Sequence, residues 1–311
     1  MILDPATYVA HPLHRDDRAW PETNCYVDLW IELMHALGVE PVAAMAFTVA
    51  LDWEGDQWTF FKFPLEDLYE LYGVDTLELQ LWTPLPEAIA TQLARRRHVI
   101  VEMDAFYLPD THGVSYGLDH VKTSVAVWSI DLAAKRLGYF HNRGAYLLEG
   151  ADYAAAFQPA LMPPYTEVVK LTHLRKPPVD ELRRLARGQL RRHLGRRPAQ
   201  NPLRAFAADF ARDLSWLREQ PLAAFHKYSF ATVRQLGANF ECAATFLRWL
   251  GGEHEAGAAA AFDQIATTAK AMQFRLARVA NAKKPYDATE SLESLAAAWE
   301  LGMSQLAVRV G

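Results

Sequence analysis

A cysteine stands at the predicted start of a buried helix, and this feature constrains the chain most. Thr23 and Asn24 precede it and are good N-cap residues, because their side-chain oxygens accept the backbone N–H groups that a first helical turn leaves unpaired. Apolar side chains then recur at helical spacing as far as Leu37, and Gly38 supplies a stop. The pattern predicts a helix with one buried face and with Cys25 in its first turn.

The position of Cys25 is compatible with two roles. A thiol at a helix N-terminus faces the positive end of the helix dipole, which favours the nucleophilic thiolate. Cysteine is also one of the residues most often found in protein cores. The segment alone therefore leaves catalysis and packing open. The second cysteine, Cys242, lies in an apolar helical stretch and is predicted to be a core residue.

Bulk properties exclude several classes of protein. The 311 residues carry a net charge of −5, which gives no field that attracts nucleic acid. The two cysteines lack the paired spacing of a disulfide framework or a cysteine-rich zinc site. No apolar run approaches the ~20 residues of a membrane span, and the N-terminus does not read as a signal peptide. We expect a cytoplasmic protein without a metal, nucleotide or flavin site and without a membrane partner.

Two different patterns divide the chain. Residues 98–108 form the clearest strand, and residues 121–130 and 137–142 alternate as an antiparallel hairpin. From about Pro177 helical patterns take over, at residues 179–194, 202–219, 221–250, 256–282 and 289–308. The predicted class is α+β, with a mixed domain at residues 1–172 and an α-helical domain at residues 173–311.

Some segments are less decisive. Residues 42–51 fit a strand or a short helix, and residues 53–63 are aromatic and β-prone. His11 and His14 lack the spacing of a zinc-binding helix, so we predict a solvated arm. The arginines of residues 183–197 are expected to form a solvated helix face, with docking of an acidic protein as the alternative.

One constellation carries chemistry. His120 opens the first strand of the hairpin and Asn142 ends the second, so the hairpin brings the two towards each other. The imidazole of His120 would take the thiol proton of Cys25, and Asn142 would hold the ring. The backbone N–H of Cys25 and the amide of Asn24 would stabilise an oxyanion. The order cysteine, histidine, asparagine is that of papain-like enzymes.

Several alternatives stay open. His120 also fits a surface histidine at a strand edge, and Asn142 fits a turn residue. Asp131, Asp104 and Asp119 are further candidates for the third catalytic group. Three lysines are candidates for binding a carboxylate or a phosphate, although solvated lysine is the simpler interpretation of each. They are Lys62, Lys122 and Lys270.

The sequence resembles a known bacterial family. Residues 20–30, 54–62, 104–110 and 120–123 resemble domain of unknown function 1839, and the likeness extends through residues 235–241 and 270–275. It covers nearly the whole chain, but the name of that family states no activity.

A second resemblance covers only residues 20–145. Asn24 and Cys25, the strand ending at residues 104–109, His120 and the following hairpin are similar to the N-terminal region of the butirosin biosynthesis acyltransferase family. This resemblance implies a papain-like fold and acyl transfer from a carrier-protein thioester to an amine through an acyl-cysteine. The chain departs from related peptidase-like proteins by ending its hairpin with His141 and Asn142, where Asp-Pro is expected.

The combined prediction is an acyl or aminoacyl transferase with a carrier protein and a small amine as partners. It needs no resident cofactor, because phosphopantetheine would arrive on the carrier. The alternatives are a cysteine hydrolase and a non-catalytic binding protein on a degenerate papain-like fold. The predicted catalytic residues are Cys25, His120 and Asn142. The predicted oxyanion or substrate contacts are Asn24, Asp104, Tyr107 and Lys122.

Overall fold

The computed structural model describes residues 3–158 and 162–307, and the chain divides into two compact units. The mixed unit comprises Met1–Arg15, Asn24–Pro41 and Pro64–Pro177. The helical unit comprises Asp16–Thr23, Val42–Phe63 and Pro178–Gly311. Neither unit is one continuous stretch of chain. The division drawn from the sequence, between residues 172 and 173, assigns residues 16–23 and 42–63 to the first domain, whereas the structure packs both segments in the helical unit.

Helix α1, Cys25–Leu37, confirms the helix predicted from local signals. Asn24 is its N-cap, and its side-chain oxygen accepts the backbone N–H of Val27 at 3.0 Å. Gly38 ends the helix in the left-handed region, with a φ of 71°. Both ends of α1 are therefore determined by residues within a few positions of them.

A six-stranded antiparallel sheet forms the centre of the mixed unit, in the order β1-β6-β2-β3-β4-β5. The predicted strand and hairpin correspond to β2, β3 and β4, while the other three strands were not predicted. The strands are β1 Asp75–Glu78, β2 His98–Asp104, β3 Lys122–Asp131, β4 Arg136–His141, β5 Gly144–Glu149 and β6 Thr166–Lys170. The remaining helices of the unit are α2 Leu65–Tyr72, α3 Leu85–Ala94 and α4 Gly150–Ala156, with 3-10 turns at Pro12–His14, Ala105–Tyr107 and Pro109–Thr111.

The two faces of this sheet pack against different helices. Val99, Val101 and Met103 of β2 alternate onto one face, where they join a buried cluster with side chains of α3 and α4. The residues between them point to the opposite face, which α1 covers where it packs on β3 and β4. That second face is called the α1 face below.

The helical unit contains six α-helices among the described residues. They are α5 Val179–Leu194, α6 Pro202–Glu219, α7 Leu222–Ser229, α8 Gln235–Leu250, α9 Glu253–Ala282 and α10 Thr289–Ala307. The predicted helix at residues 221–250 is interrupted, because a π-helical segment, Phe230–Arg234, separates α7 from α8. Cys242 of α8 is buried, as predicted. The class is therefore α+β, with a mixed unit and an all-helical unit.

The two less decisive segments, residues 42–51 and 53–63, form different amounts of regular structure. Pro41–Ala50 is a 3-10 helix. Residues 53–63 contain only one isolated bridge, between Trp53 and Trp58, instead of the strand that their aromatic residues suggest. The rings of Trp53 and Trp58 pack within 5.0 and 5.4 Å of the ring of Phe206. The aromatic residues of this segment are explained by burial without a strand, because strand propensity itself largely measures how well a side chain packs and is buried.

Within residues 3–158 and 162–307, no helix is long and apolar enough to span a membrane.

Candidate active site of the mixed unit

Cys25 occupies the first position of α1 and is partly exposed. Its thiol has no hydrogen-bond partner among the residues that the structure describes. The N-cap bond uses the side-chain oxygen of Asn24, so the predicted oxyanion role of that residue would fall to its amide nitrogen. The local geometry is that of a thiol at a helix start, where the positive end of the helix dipole lies.

His120 is bound to an aspartate. Its Nδ1–H donates to Oδ2 of Asp104 at 2.6 Å, and 65% of the histidine side chain is exposed. The imidazole stacks on Phe106, with centroids 4.3 Å apart and planes at 13°, and Tyr107 meets it edge-on at 6.1 Å. A carboxylate on Nδ1 fixes the tautomer in which Nε2 is the nitrogen that accepts a proton. This is the arrangement of a general base with its orienting group.

The His120–Asp104 pair lies on the α1 face. Ile100 and Asp104 are both on this face, since they are four residues apart on β2. Glu167 of β6 lies opposite Ile100, and the Tyr26 hydroxyl of α1 donates to that carboxylate at 2.7 Å. The Tyr26 hydroxyl is therefore held beside the β6 partner of Ile100, and Ile100 is about 13 Å along β2 from Asp104. No hydrogen bond joins Cys25 to His120 within the described residues.

Asn142 directly follows the second strand of the predicted hairpin. It lies in the turn between β4 and β5 with a φ of 45°, a left-handed conformation that asparagine tolerates well. Among the described residues it makes no hydrogen bond to His120, whose Nδ1 is occupied by Asp104. The residue bonded to the His120 ring is therefore Asp104, another of the predicted candidates for the third group. Asp131 is at the far end of β3, where its carboxylate accepts the N–H groups of Ala133 and Ala134.

The remaining predicted contacts lie close to the His120–Asp104 pair. Lys122 is the neighbour of Asp104 on β3, and its ammonium is 2.9 Å from the carboxylate of Glu102. Tyr107 belongs to the 3-10 turn that follows Asp104. Asp104, Tyr107 and Lys122 are therefore grouped around His120 at one end of the α1 face.

A buried network on the opposite face supports the loop that carries His120. Nδ1–H of His141 donates to Asp110 at 2.6 Å, and the hydroxyl of Thr123 donates to Nε2 of His141 at 2.7 Å. The Tyr139 hydroxyl also donates to Asp110, at 2.5 Å. Burial, then the Asp110 charge, raise the pKa of Tyr139. Asp110 thereby fixes the segment between β2 and β3 to the strands.

The N-terminal histidines are buried, and the predicted solvated arm is wrong. His14 lies between two carboxylates of α1, with Nδ1 bonded to Glu32 and Nε2 3.3 Å from Asp28. Burial alone would lower the pKa of His14, but the bonds to Asp28 and Glu32 outweigh it and raise that pKa to about 9. The Tyr8 hydroxyl and the backbone N–H of His11 also donate to Glu32. The sequence signal was the i, i+4 pair of carboxylates in α1, a helix that is buried on all sides from Tyr26 to Met34 and not on one face alone as predicted.

Among the described residues, no group of three or more histidine, cysteine, aspartate or glutamate side chains is arranged to hold a metal ion.

Two protein-family models match the chain. The family model of the DUF1839 N-terminal domain matches residues 9–171, and that of the DUF1839 C-terminal domain matches residues 179–308. The chain belongs to the DUF1839 family. A comparison with curated proteins finds no match.

The DUF1839 N-terminal domain contains the whole candidate active site, from Asn24 to Asn142. The DUF1839 C-terminal domain contains Lys270, the one sequence-predicted anion-binding candidate that belongs to α9. Lys62, the third such lysine, is exposed.

Proposed function

We propose that this DUF1839 chain is a cysteine acyltransferase with a papain-like mixed unit. Cys25 would accept an acyl or aminoacyl group from a carrier-protein thioester and pass it to a small amine. The observation that carries the proposal is the 2.6 Å bond from His120 to Asp104 on the α1 face, with a partly exposed thiol at the start of α1. Nucleophile, base and orienting group are the three parts that such chemistry needs.

The proposed reaction has two balanced halves. Nε2 of His120 takes the thiol proton, and the Cys25 thiolate attacks the thioester carbonyl. The carbon–sulfur bond to the carrier breaks, and the departing thiolate receives the proton from His120. The amine then attacks the acyl-cysteine, gives one proton to His120, and displaces the Cys25 thiolate, which is protonated in turn. Asp104 keeps the imidazole in the required tautomer throughout.

A thioester donor suits this site. Exchange between two thioesters is nearly balanced in energy, so it demands less transition-state stabilisation than cleavage of an amide. The resemblance to the butirosin biosynthesis acyltransferase family points in the same direction. The oxyanion donors proposed for this site are the backbone N–H of Cys25 and the amide nitrogen of Asn24, a modest set that suits an activated donor.

The first experiment measures alkylation of Cys25 by iodoacetamide as a function of pH. Wild type, His120→Ala and Asp104→Asn are compared, with His112→Ala as the control for loss of an exposed histidine from the same loop. Cys25→Ser gives the background from buried Cys242. We expect fast alkylation at pH values where free cysteine is slow, with a loss of about tenfold or more in His120→Ala and a smaller loss in Asp104→Asn.

The second experiment separates transfer from hydrolysis. The protein is incubated with acyl-pantetheine thioesters, and its intact mass is measured before and after addition of small amines. Transfer predicts an acyl adduct on Cys25 that disappears with formation of the amide. An adduct that water discharges at the same rate, with or without amines, would indicate the hydrolase instead. Slow alkylation that follows the pKa of an ordinary thiol, about 8.5, and is indifferent to His120 would refute catalysis by this pair.

One observation favours a second candidate, a non-catalytic binding protein. Cys25 and His120 share no hydrogen bond in the described chain, although catalytic hydrogen bonds are often long before substrate binds. In a binding protein the His120–Asp104 pair and the Phe106 ring would form a recognition surface. Such a protein would bind a carrier without ever acquiring an acyl group, which the mass measurement distinguishes directly.

A further inference from the structure

The segment that precedes Cys25 is held firmly within the helical unit. The carboxylate of Glu241 on α8 accepts the backbone N–H groups of Ala19 and Trp20 at 3.0 and 2.9 Å. The indole N–H of Trp20 donates to the carbonyl of Ala266 on α9 at 3.1 Å, and Trp20 is almost fully buried. Residues 16–23 are therefore a fixed part of this unit, bound by both α8 and α9.

Two cations flank this segment. The ammonium of Lys270 lies 4.3 Å from the ring centroid of Trp20 and 5.9 Å from that of Phe274. The guanidinium of Arg234 donates through Nε to the carbonyl of Thr23 at 3.2 Å and lies over the ring of Phe230. Both cations thus contact the same short segment or the rings beside it.

Two carboxylates of this cluster pair with arginines. Arg234 is 3.6 Å from the carboxylate of Glu22, and Arg18 is 3.4 Å from that of Glu241. Lys270 has no carboxylate within 4 Å in the part of the chain that the structure describes. Burial and the nearby Arg234 charge lower the pKa of Lys270, and the Glu241 carboxylate opposes them in part. A partly buried ammonium beside a second cation is unfavourable until an anion neutralises it.

We propose that Lys270 and Arg234 form a binding site for the phosphoryl group of a phosphate ester. The planar guanidinium can donate to two phosphate oxygens while the ammonium supplies a point charge. Phe274 and Phe230 are exposed beside the two cations and offer apolar surface to the organic part of the ester. Arg234 ends a π-helical segment, a feature that occurs frequently at functional sites.

The site is independent of the thiol chemistry proposed above. Its phosphoryl group could come from the 4′-phosphopantetheine of a carrier or from a free phosphate. Isothermal titration calorimetry with the full-length protein compares three probes: inorganic phosphate, 4′-phosphopantetheine and pantetheine, which lacks the phosphate. We expect 4′-phosphopantetheine to bind and pantetheine to bind at least about tenfold more weakly. Measurable binding of inorganic phosphate shows that the free ion is also a ligand.

The variants locate the binding. Lys270→Gln and Arg234→Gln are each expected to weaken phosphoryl binding about tenfold, while Lys270→Arg retains most of it. Arg275→Gln is the matched control, since Arg275 is a cation on the same helix that also lies over an aromatic ring, that of Tyr286. Cys25→Ser should bind as wild type, which separates this site from the catalytic proposal. Circular dichroism confirms that each variant is folded.

A second measurement does not depend on the affinity of one probe. Lysine ammonium signals in NMR report the protonation of Lys270, and binding of a phosphate dianion should raise its pKa while leaving that of Lys283, on the same unit, unchanged. The proposal is overturned if no probe binds at millimolar concentration, if pantetheine matches 4′-phosphopantetheine, or if Lys270→Gln binds as tightly as wild type.

Discussion

Two glycine-to-alanine substitutions in the helical unit should have opposite effects on stability. Gly188 lies within α5, where an added Cβ would meet nothing nearer than an arginine nitrogen 4.0 Å away. Gly237 lies within α8, where an added Cβ would be 2.3 Å from Cε2 of Trp20 and 2.4 Å from Cζ2 and Nε1. The backbone change is the same at both positions, so the comparison isolates the packing against Trp20.

The magnitudes follow from this geometry. Alanine gains about 1 kcal/mol over glycine in a helix interior, so Gly188→Ala should raise the free energy of unfolding by roughly that amount. Gly237→Ala has the same gain, but overpacking costs about 1 to 3 kcal/mol. The upper end applies, because the indole is buried and fixed by its bond to Ala266. We expect a net loss of about 2 kcal/mol, and a difference of about 3 kcal/mol between the variants.

The assay is urea unfolding followed by far-UV circular dichroism. With unchanged m-values, the midpoint should rise for Gly188→Ala and fall for Gly237→Ala. Melting temperatures should move in the same directions, by about 2 to 4 °C for each kcal/mol. If Gly237→Ala is as stable as Gly188→Ala, Trp20 is not fixed against α8, and the described packing of residues 16–23 is refuted.

Three further predictions concern the mixed unit. The pKa of His14 is about 9 in the folded protein, so its contribution to stability is complete below the unfolded value of about 6.5 and is lost as pH rises through 9. Urea unfolding at pH 6 and pH 9.5 should show this loss in wild type but not in His14→Gln. The effect of pH on stability through His98 is the reverse, since burial lowers the pKa of His98 to about 4 despite its bond to a backbone carbonyl. The free energy of unfolding should therefore fall between pH 6.5 and pH 4, and it should fall less in His98→Gln. Asp110→Asn replaces the buried carboxylate that holds His141, and it should lower the free energy of unfolding by about 1 to 3 kcal/mol, measured from the urea midpoint. The control Asp119→Asn changes an exposed residue and should alter the free energy of unfolding by less than about 0.5 kcal/mol.

Local signals were sufficient for most of the helices. The ends of α1 follow from an N-cap residue and a glycine, and the bounds of α5 and α6 follow from proline and apolar spacing. Strands β1, β5 and β6 have only four to six residues, and their position in the sheet depends on partners distant in sequence. The π-helical interruption before α8 has no signal in the apolar pattern, which continues through it.

The sequence was enough to predict which residue types form the candidate site, but less so which side chains contact each other in it. Cys25 and His120 belong to recognisable local patterns, and Asp104 was among the acids considered for the third position. The hairpin pattern by itself points to Asn142, whereas the pairing of β2 with β3 brings Asp104 to His120. The burial of His14 depends on its contacts with Asp28 and Glu32 of α1, and no residue spacing within residues 1–20 indicates them.

The interleaving of the two units has a consequence for synthesis on the ribosome. Residues 16–23 and 42–63 leave the exit tunnel early, yet their packing partners on α6, α8 and α9 emerge only after roughly 150 to 250 further residues. At translation rates of about 5 to 20 residues per second, Trp20 and the aromatic residues of the second segment remain without those partners for many seconds. The helical unit therefore cannot be completed while the chain is growing, and the largely apolar residues 42–63 wait for their cover. A fragment limited to residues 179–308 would lack both segments and expose the surfaces that they cover.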